Sequence, residues 1–183
     1  MKKNTLIFLS VLLLSSLSFS MPIEDNEGAK PKTYVKESRM NLFADLGLAT
    51  GDFKGFLMGI GFQYGFTPAF FGEILADINF NPMDSSISNT AYAVSINGVY
   101  KFKMSDNLKM YVKGGISSTS LTASYGNTSI TSDSQIGLNG GAGLEFALSK
   151  KMGARVGSTF KVIFDPGEAL TYFKFYGSFY FNL

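Results

Sequence analysis

The residues with chemistry to offer are charged and recur at alternate positions: Glu73 and Asp77, Lys101, Lys109 and Lys113, Glu145, Arg155 and Lys161, and Lys174. Each stands in a stretch whose intervening residues are mostly apolar, so acids and bases share one face and large apolar groups the other. Nucleophilic and proton-transfer chemistry is poorly supplied. The sequence has no His, the side chain best suited to moving protons at neutral pH, and no Ser and Lys stand in a recognisable dyad motif. It also has no Cys, which leaves zinc and other soft metals without their usual ligands. Carboxylates such as Asp84 or Asp133 could meet calcium, but no segment has the regular acidic spacing of a calcium loop. The expectation is a chain without catalytic, metal or cofactor-binding residues. Asn127-Thr128-Ser129 fits the glycosylation triplet, a pattern that chance supplies often.

What must position the charges is a series of strands. From Gly55 to Thr67 the even positions read Phe56, Met58, Ile60, Phe62, Tyr64 and Phe66, and the odd ones Leu57, Gly59, Gly61, Gln63 and Gly65. A helix would scatter that sorting; a strand keeps it. The same scheme recurs over 40–49, 70–81, 90–102, 108–117, 134–148, 152–164 and 171–183, which makes eight strands. Short turns are expected at 67–69, 103–107 and 149–151. Longer connections are expected at 82–89 and 118–133, an intermediate one at 165–170, and a short one at 50–54. A register count adds a constraint. A two-residue turn at 126–127 carried down the strands would set inward Ser117 opposite outward Ile136, and opposed residues must share a face. A three-residue loop, 126–128, pairing Tyr125 with Ser129, or a bulge that does the same work, restores Ile116 opposite Leu138.

Volume decides which face is inside. Thirteen of the sixteen Phe residues beyond residue 20 fall on the apolar face, from Phe56 to Phe181. An eight-stranded interior is only just wide enough for its own side chains, so that aromatic bulk belongs outside, in lipid. The opposite face carries Gly47, Gly59, Gly61, Gly65, Gly115, Gly137, Gly141, Gly143, Gly153 and Gly157, read as leaving room for charges from neighbouring strands. Inward charges need partners, so Glu73, Asp77, Lys101, Lys113, Glu145, Arg155, Lys161 and Lys174 are expected to form a salt-bridge network that plugs the lumen. The fold class is all-β, an eight-stranded antiparallel up-and-down transmembrane β-barrel. Aromatic girdles are expected near the turns (Phe66, Phe70, Tyr100, Phe102, Phe146, Phe179, Phe181) and near the loops (Phe56, Phe80, Tyr92, Phe164, Phe173).

The ends and the charge balance bound location and partners. Lys2 and Lys3, the apolar run Leu6 to Leu14 and the Ser18-Phe19-Ser20 site read as a signal peptide over 1–20. Residues 21–38 are charged and aperiodic, a flexible periplasmic lead-in, and 39–183 is the barrel. Sixteen Lys and Arg less Lys2 and Lys3 leave fourteen, against fourteen Asp and Glu. That balance gives no basic excess for nucleic acid. No apolar run beyond the leader reaches helix-spanning length, so any span is built from strands.

On these residues the chain resembles the small eight-stranded outer-membrane barrels, the OmpA/OmpX-like and opacity-like proteins, over about residues 39 to 183. Gly177, Phe179, Phe181 and Leu183 resemble the final-strand signal of that group, although it usually ends in Phe. The resemblance implies residence in the bacterial outer membrane and contact with its lipid. It also implies recognition by the barrel-insertion machinery during assembly, periplasmic termini, and connections 50–54, 82–89, 118–133 and 165–170 outside the cell. The expected function is a structural or surface-interacting, adhesin-like barrel, with loop 118–133 facing any extracellular ligand. A narrow passive pore and a soluble lipocalin-like carrier stand as alternatives.

Overall fold

The computed structural model describes residues 39–83, 87–125, 128–165 and 167–183. The signal peptide and lead-in expected over 1–38, Asp84 and Asn127 lie outside the described residues. Every regular element among those described is a strand: β1 (Met40–Gly51), β2 (Gly55–Gly65), β3 (Phe70–Met83), β4 (Ile87–Lys103), β5 (Leu108–Tyr125), β6 (Thr128–Thr131), β7 (Gln135–Ala147), β8 (Met152–Asp165) and β9 (Glu168–Asn182). Eight of them close on themselves in the order β1-β2-β3-β4-β5-β7-β8-β9, with β9 paired back to β1 and every pairing antiparallel. β6 pairs with β5 alone and continues that hairpin past the barrel wall.

The stagger of the barrel can be counted from its register. Stepping across hydrogen-bonded partners from Asp45 through Gly59, Asp77, Ala93 and Thr119 leads to Gln135 on β7. Stepping the other way, through Ser178 and Arg155, leads to Glu145 on the same strand, ten residues on. Ten residues at about 3.3 Å against eight strands about 4.8 Å apart give a tilt of about 41°, within the range of closed barrels.

The strands run further at one rim than alternation of apolar residues foretells. The 82–89 connection is largely strand: Pro82 pairs with Ser88 and Met83 with Ile87. The 118–133 excursion is also strand, out to Tyr125 and back along β6. β8 and β9 extend to Asp165 and Glu168, shrinking the 165–170 loop. Pro is tolerated near a strand end, where a missing donor costs little. β1 and β2 meet at a tight turn, and Gly51, at φ +120°, supplies the positive φ it needs.

The register conflict is resolved by a bulge. Tyr125 pairs with Thr128, not with Ser129, so the three-residue loop does not form. Leu121 exchanges bonds with Ser132, while the Ser120 hydroxyl meets that of Ser134, which leaves Asp133 as the extra residue. Below it Ile116 stands opposite Leu138. The extra residue is better placed beside the barrel rim, where bulges gather, than in the turn.

The apolar face is outside. Of the thirteen Phe residues on it, eleven are exposed and Phe62 and Phe160 are half-buried. Near the turns Phe66 meets both Tyr64 and Phe70, and Tyr100 meets Phe102. Phe160 and Phe173 meet toward the other rim. A soluble carrier requires the reverse arrangement, with its apolar face around a cavity, and that alternative is overturned.

Candidate functional site

The closed sheet aims nine acidic and basic side chains into the lumen: Asp45, Glu73, Asp77 and Glu145 with Lys101, Lys113, Arg155, Lys161 and Lys174, all buried. They fall into three groups. Toward the turns, Lys101 Nζ donates to Glu145 Oε2 at 2.7 Å. In the middle, Glu73 accepts from Gln63 Nε2 at 2.7 Å, Asn97 Nδ2 at 2.9 Å, Lys113 Nζ at 3.1 Å and Arg155 Nη1 at 3.3 Å. Arg155 turns its other terminal nitrogen to Asp45 at 3.3 Å, and Ser178 donates to the same carboxylate. Toward the longer hairpins, Asp77 takes Lys161 Nζ at 3.3 Å on one oxygen and Lys174 Nζ on the other. Lys109 lies half-buried at the turn rim, opposite Glu145 in the register.

Asp45 is the member that the sequence-derived set leaves out. It sits on the inner face of β1 between Phe43 and Gly47, so strict alternation already aims it at the axis. The residues around the charges are rings. Arg155 lies over Phe43 at 3.9 Å, Lys101 over Phe71 at 4.2 Å and Lys113 over Tyr176 at 4.9 Å, so aromatic faces share the neutralisation of buried cations.

Those rings correct the expected purpose of part of the inner glycines. Phe43 stands directly opposite Gly61, Phe71 opposite Gly65, Tyr111 opposite Gly143, Tyr172 opposite Gly51, Tyr176 opposite Gly157 and Tyr180 opposite Gly153. A Cβ at Gly61 would strike the Phe43 ring, and one at Gly153 the Tyr180 ring. These glycines make room for aromatic side chains across the strand, whereas Gly59 stands opposite Asp45 and Asp77, and Gly141 opposite Lys113, as room left for charges. Tyr111 and Tyr176 then join hydroxyl to hydroxyl at 2.9 Å across the lumen.

A void of about 10 Å³ lies within the lumen, lined by Asp45, Asp77, Ser95, Lys113, Asn139 and Lys174 among others. That is about room for one water. Beyond it, Ala49, Ile163 and Tyr172 form an apolar cluster covered by Phe53 and Leu170. Among the described residues no group of three metal-ligating side chains occurs.

The family model described as "Outer membrane protein beta-barrel domain" matches residues 9–177. The chain belongs to this family. It is a bacterial outer-membrane β-barrel protein, and its apolar outer face is the lipid-facing surface. Solved structures of the same architecture include neisserial surface protein A, at 16% identity and TM-score 0.67 over 79% of this chain and 96% of that one. The N-terminal β-barrel domain of Pseudomonas aeruginosa OprF matches at 16% identity and TM-score 0.55, over 79% and 98%. Ail, the attachment invasion locus protein of Yersinia pestis, matches at 14% identity and TM-score 0.50, over 78% and 96%. At such identities the likeness is one of fold. No curated protein sequence matches the chain.

The two rims of this outer-membrane barrel differ. The turn rim carries Arg39, Lys103, Lys150 and Lys151, all exposed, and the opposite rim carries Asp52, Lys54, Asp133 and Asp165. Asp52 accepts from the Thr171 backbone and Gln135 donates to Asp165, tying the acidic rim together. On the last strand Phe179, Phe181 and Leu183 face outward and are exposed, while Gly177 shares that face opposite Leu46 and Val156.

Proposed function

We propose that this outer-membrane barrel is a non-conducting, non-catalytic scaffold that presents the β5–β6 hairpin at the cell surface. The observation that supports the proposal is the set of buried side chains that meet across the lumen. Three groups of cross-barrel ion pairs and six ring–glycine pairs lie within the barrel, and the void lined by Asp45, Asp77 and Lys113 measures about 10 Å³. An eight-stranded barrel has no bore to spare beyond that. The absence of His from the sequence supports a non-catalytic role, and the reading includes no cofactor. Purified protein in planar bilayers should give no steady channel steps at neutral pH. Reproducible open-state conductance would establish the narrow passive pore instead.

The hairpin is the natural contact surface because β6, outside the closed order of eight strands, pairs with β5 alone. Its outward face is a ladder of hydroxyls, Thr122 with Thr131 at 3.0 Å and Ser124 with Ser129 at 2.9 Å, and Ile130 is exposed. Ail has been crystallised with the heparin analogue sucrose octasulfate. The acidic rim here disfavours a polyanion of that kind, so the reading is a neutral or cationic surface partner. Replacing residues 118–133 by a short turn should abolish any cell-surface adhesion that the intact protein confers, while the boiled and unboiled protein still differ in gel mobility. Adhesion that survives the replacement would move the contact elsewhere. The exposed final-strand residues Phe179, Phe181 and Leu183 fit recognition by the insertion machinery, and Phe181→Ser should slow assembly.

A further inference from the structure

The turn rim pairs cations with exposed apolar side chains. In the β7–β8 turn Leu148 is 63% exposed, and Lys150 and Lys151 follow it, both exposed. In the β4–β5 turn Met104 is 61% exposed beside Lys103. Arg39 stands at the start of β1, next to the exposed Leu183 at the end of β9, whose backbone bonds Met40. The single acidic side chain exposed at this rim among the described residues is Asp106, which meets Lys103 at 2.9 Å. At the other rim the sign is reversed. Asp52, Asp133 and Asp165 outnumber Lys54 there.

We infer that the turn rim is a collar for anionic phospholipid headgroups. Leu148 and Met104 reach into the acyl layer just beyond the aromatic girdle of Phe66, Phe146 and Phe181. Lysines beside them place their ammonium groups at phosphate height, the geometry of a side chain whose stem is buried and whose head is wet. A carboxylate-rich rim cannot do the same. The collar therefore also orients the barrel, with its turns in whichever leaflet holds the anionic phospholipid.

The test uses folded protein in detergent micelles, titrated with phosphatidylglycerol or with phosphatidylcholine, and bound lipids counted by native mass spectrometry. Phosphatidylglycerol should bind in preference, and the preference should shrink as salt rises. R39Q/K150Q/K151Q should weaken phosphatidylglycerol binding by about fivefold per cation removed, whereas K54Q, at the opposite rim, should not. K150R/K151R should bind as the natural protein does. Equal binding of the two lipids, or an equal loss in K54Q, overturns the collar. Gel mobility before and after boiling establishes that each variant is folded, and K150Q and K151Q singly serve if the triple variant is not.

Discussion

Glu73 is the acceptor on which the middle of the lumen depends, and Glu73→Gln tests that dependence. The substitution keeps shape and the ability to accept from Asn97 but removes the charge facing Lys113 and Arg155. Arg155 retains Asp45 at 3.3 Å, so its loss is partial. Lys113 retains the face of Tyr176 at 4.9 Å and a longer-range attraction to Asp45, and is left as a buried ammonium without a directly bonded carboxylate. Breaking a buried pair by removing one partner costs about 3–5 kcal/mol, and the surviving contacts put this variant near the lower figure, about a hundredfold in the unfolding equilibrium. Glu73→Ala strips the acceptor from Gln63 and Asn97 as well, each worth about 1–3 kcal/mol when buried and unpaired. It should cost about 5 kcal/mol or more. Urea unfolding in detergent micelles, followed by loss of the fast-migrating gel band, measures both through a lowered midpoint at unchanged slope. Adding Lys113→Met to Glu73→Gln should recover most of the loss, because it removes the orphaned charge. If Glu73→Gln lies within about 1 kcal/mol of the natural protein, or the two substitutions simply add, the middle group is not held by this carboxylate and the reasoning fails.

Other positions give sharper yes-or-no outcomes. Gly61→Ala should destabilise by about 1–3 kcal/mol by crowding Phe43 and the Ile74 carbonyl, and Phe43→Leu should relieve part of it in the same urea titration. Deleting Asp133 removes the bulge yet leaves Leu121 opposite Ser132 and Ser120 opposite Ser134, so the barrel should still show its mobility shift on boiling. Deleting Asn139 inside β7 slips the register by one residue and turns outward groups inward; that variant should give no fast-migrating band. Ile96→Lys, on the lipid face in mid-strand, should cost about 2–4 kcal/mol in vesicles. The same change made at exposed Ser105 should be silent.

Most of the barrel is legible before any coordinates because two constraints agree. Period-two sorting gives the strands, and the bulk of thirteen Phe residues decides which side faces lipid. Legibility fails where one of those constraints lapses. Past the lipid band a strand need not be apolar on either face, so Ser118 to Thr131 reads as loop although Thr and Ser pair there residue by residue. Pro82 reads as a stop although a strand end accommodates it. The register conflict at Ser117 is visible in the sequence, but whether a turn or a bulge absorbs the extra residue depends on local backbone geometry that composition does not encode. Asp45 is overlooked for another reason. β1 carries no other charge to mark its inner face as ionic, and only closure of the lumen brings Arg155 to it. The opposition of rings to glycines is hidden until the register is known, since each pair lies on two strands.

That opposition has a consequence for the order of assembly. Phe43 with Gly61, Phe71 with Gly65, Tyr111 with Gly143, and Tyr176 and Tyr180 with Gly157 and Gly153 all join strands consecutive around the wall. Each can form within its own hairpin, at small loop-closure cost. Lys113 meets Glu73 across 40 residues and Lys101 meets Glu145 across 44, but three further ion pairs are of the opposite kind. Arg155 meets Asp45 across 110 residues, Lys174 meets Asp77 across 97 and Lys161 meets Asp77 across 84, and none can exist until β9 has reached β1. The rings prepare a curved but open sheet, and those three pairs record that its two edges have met.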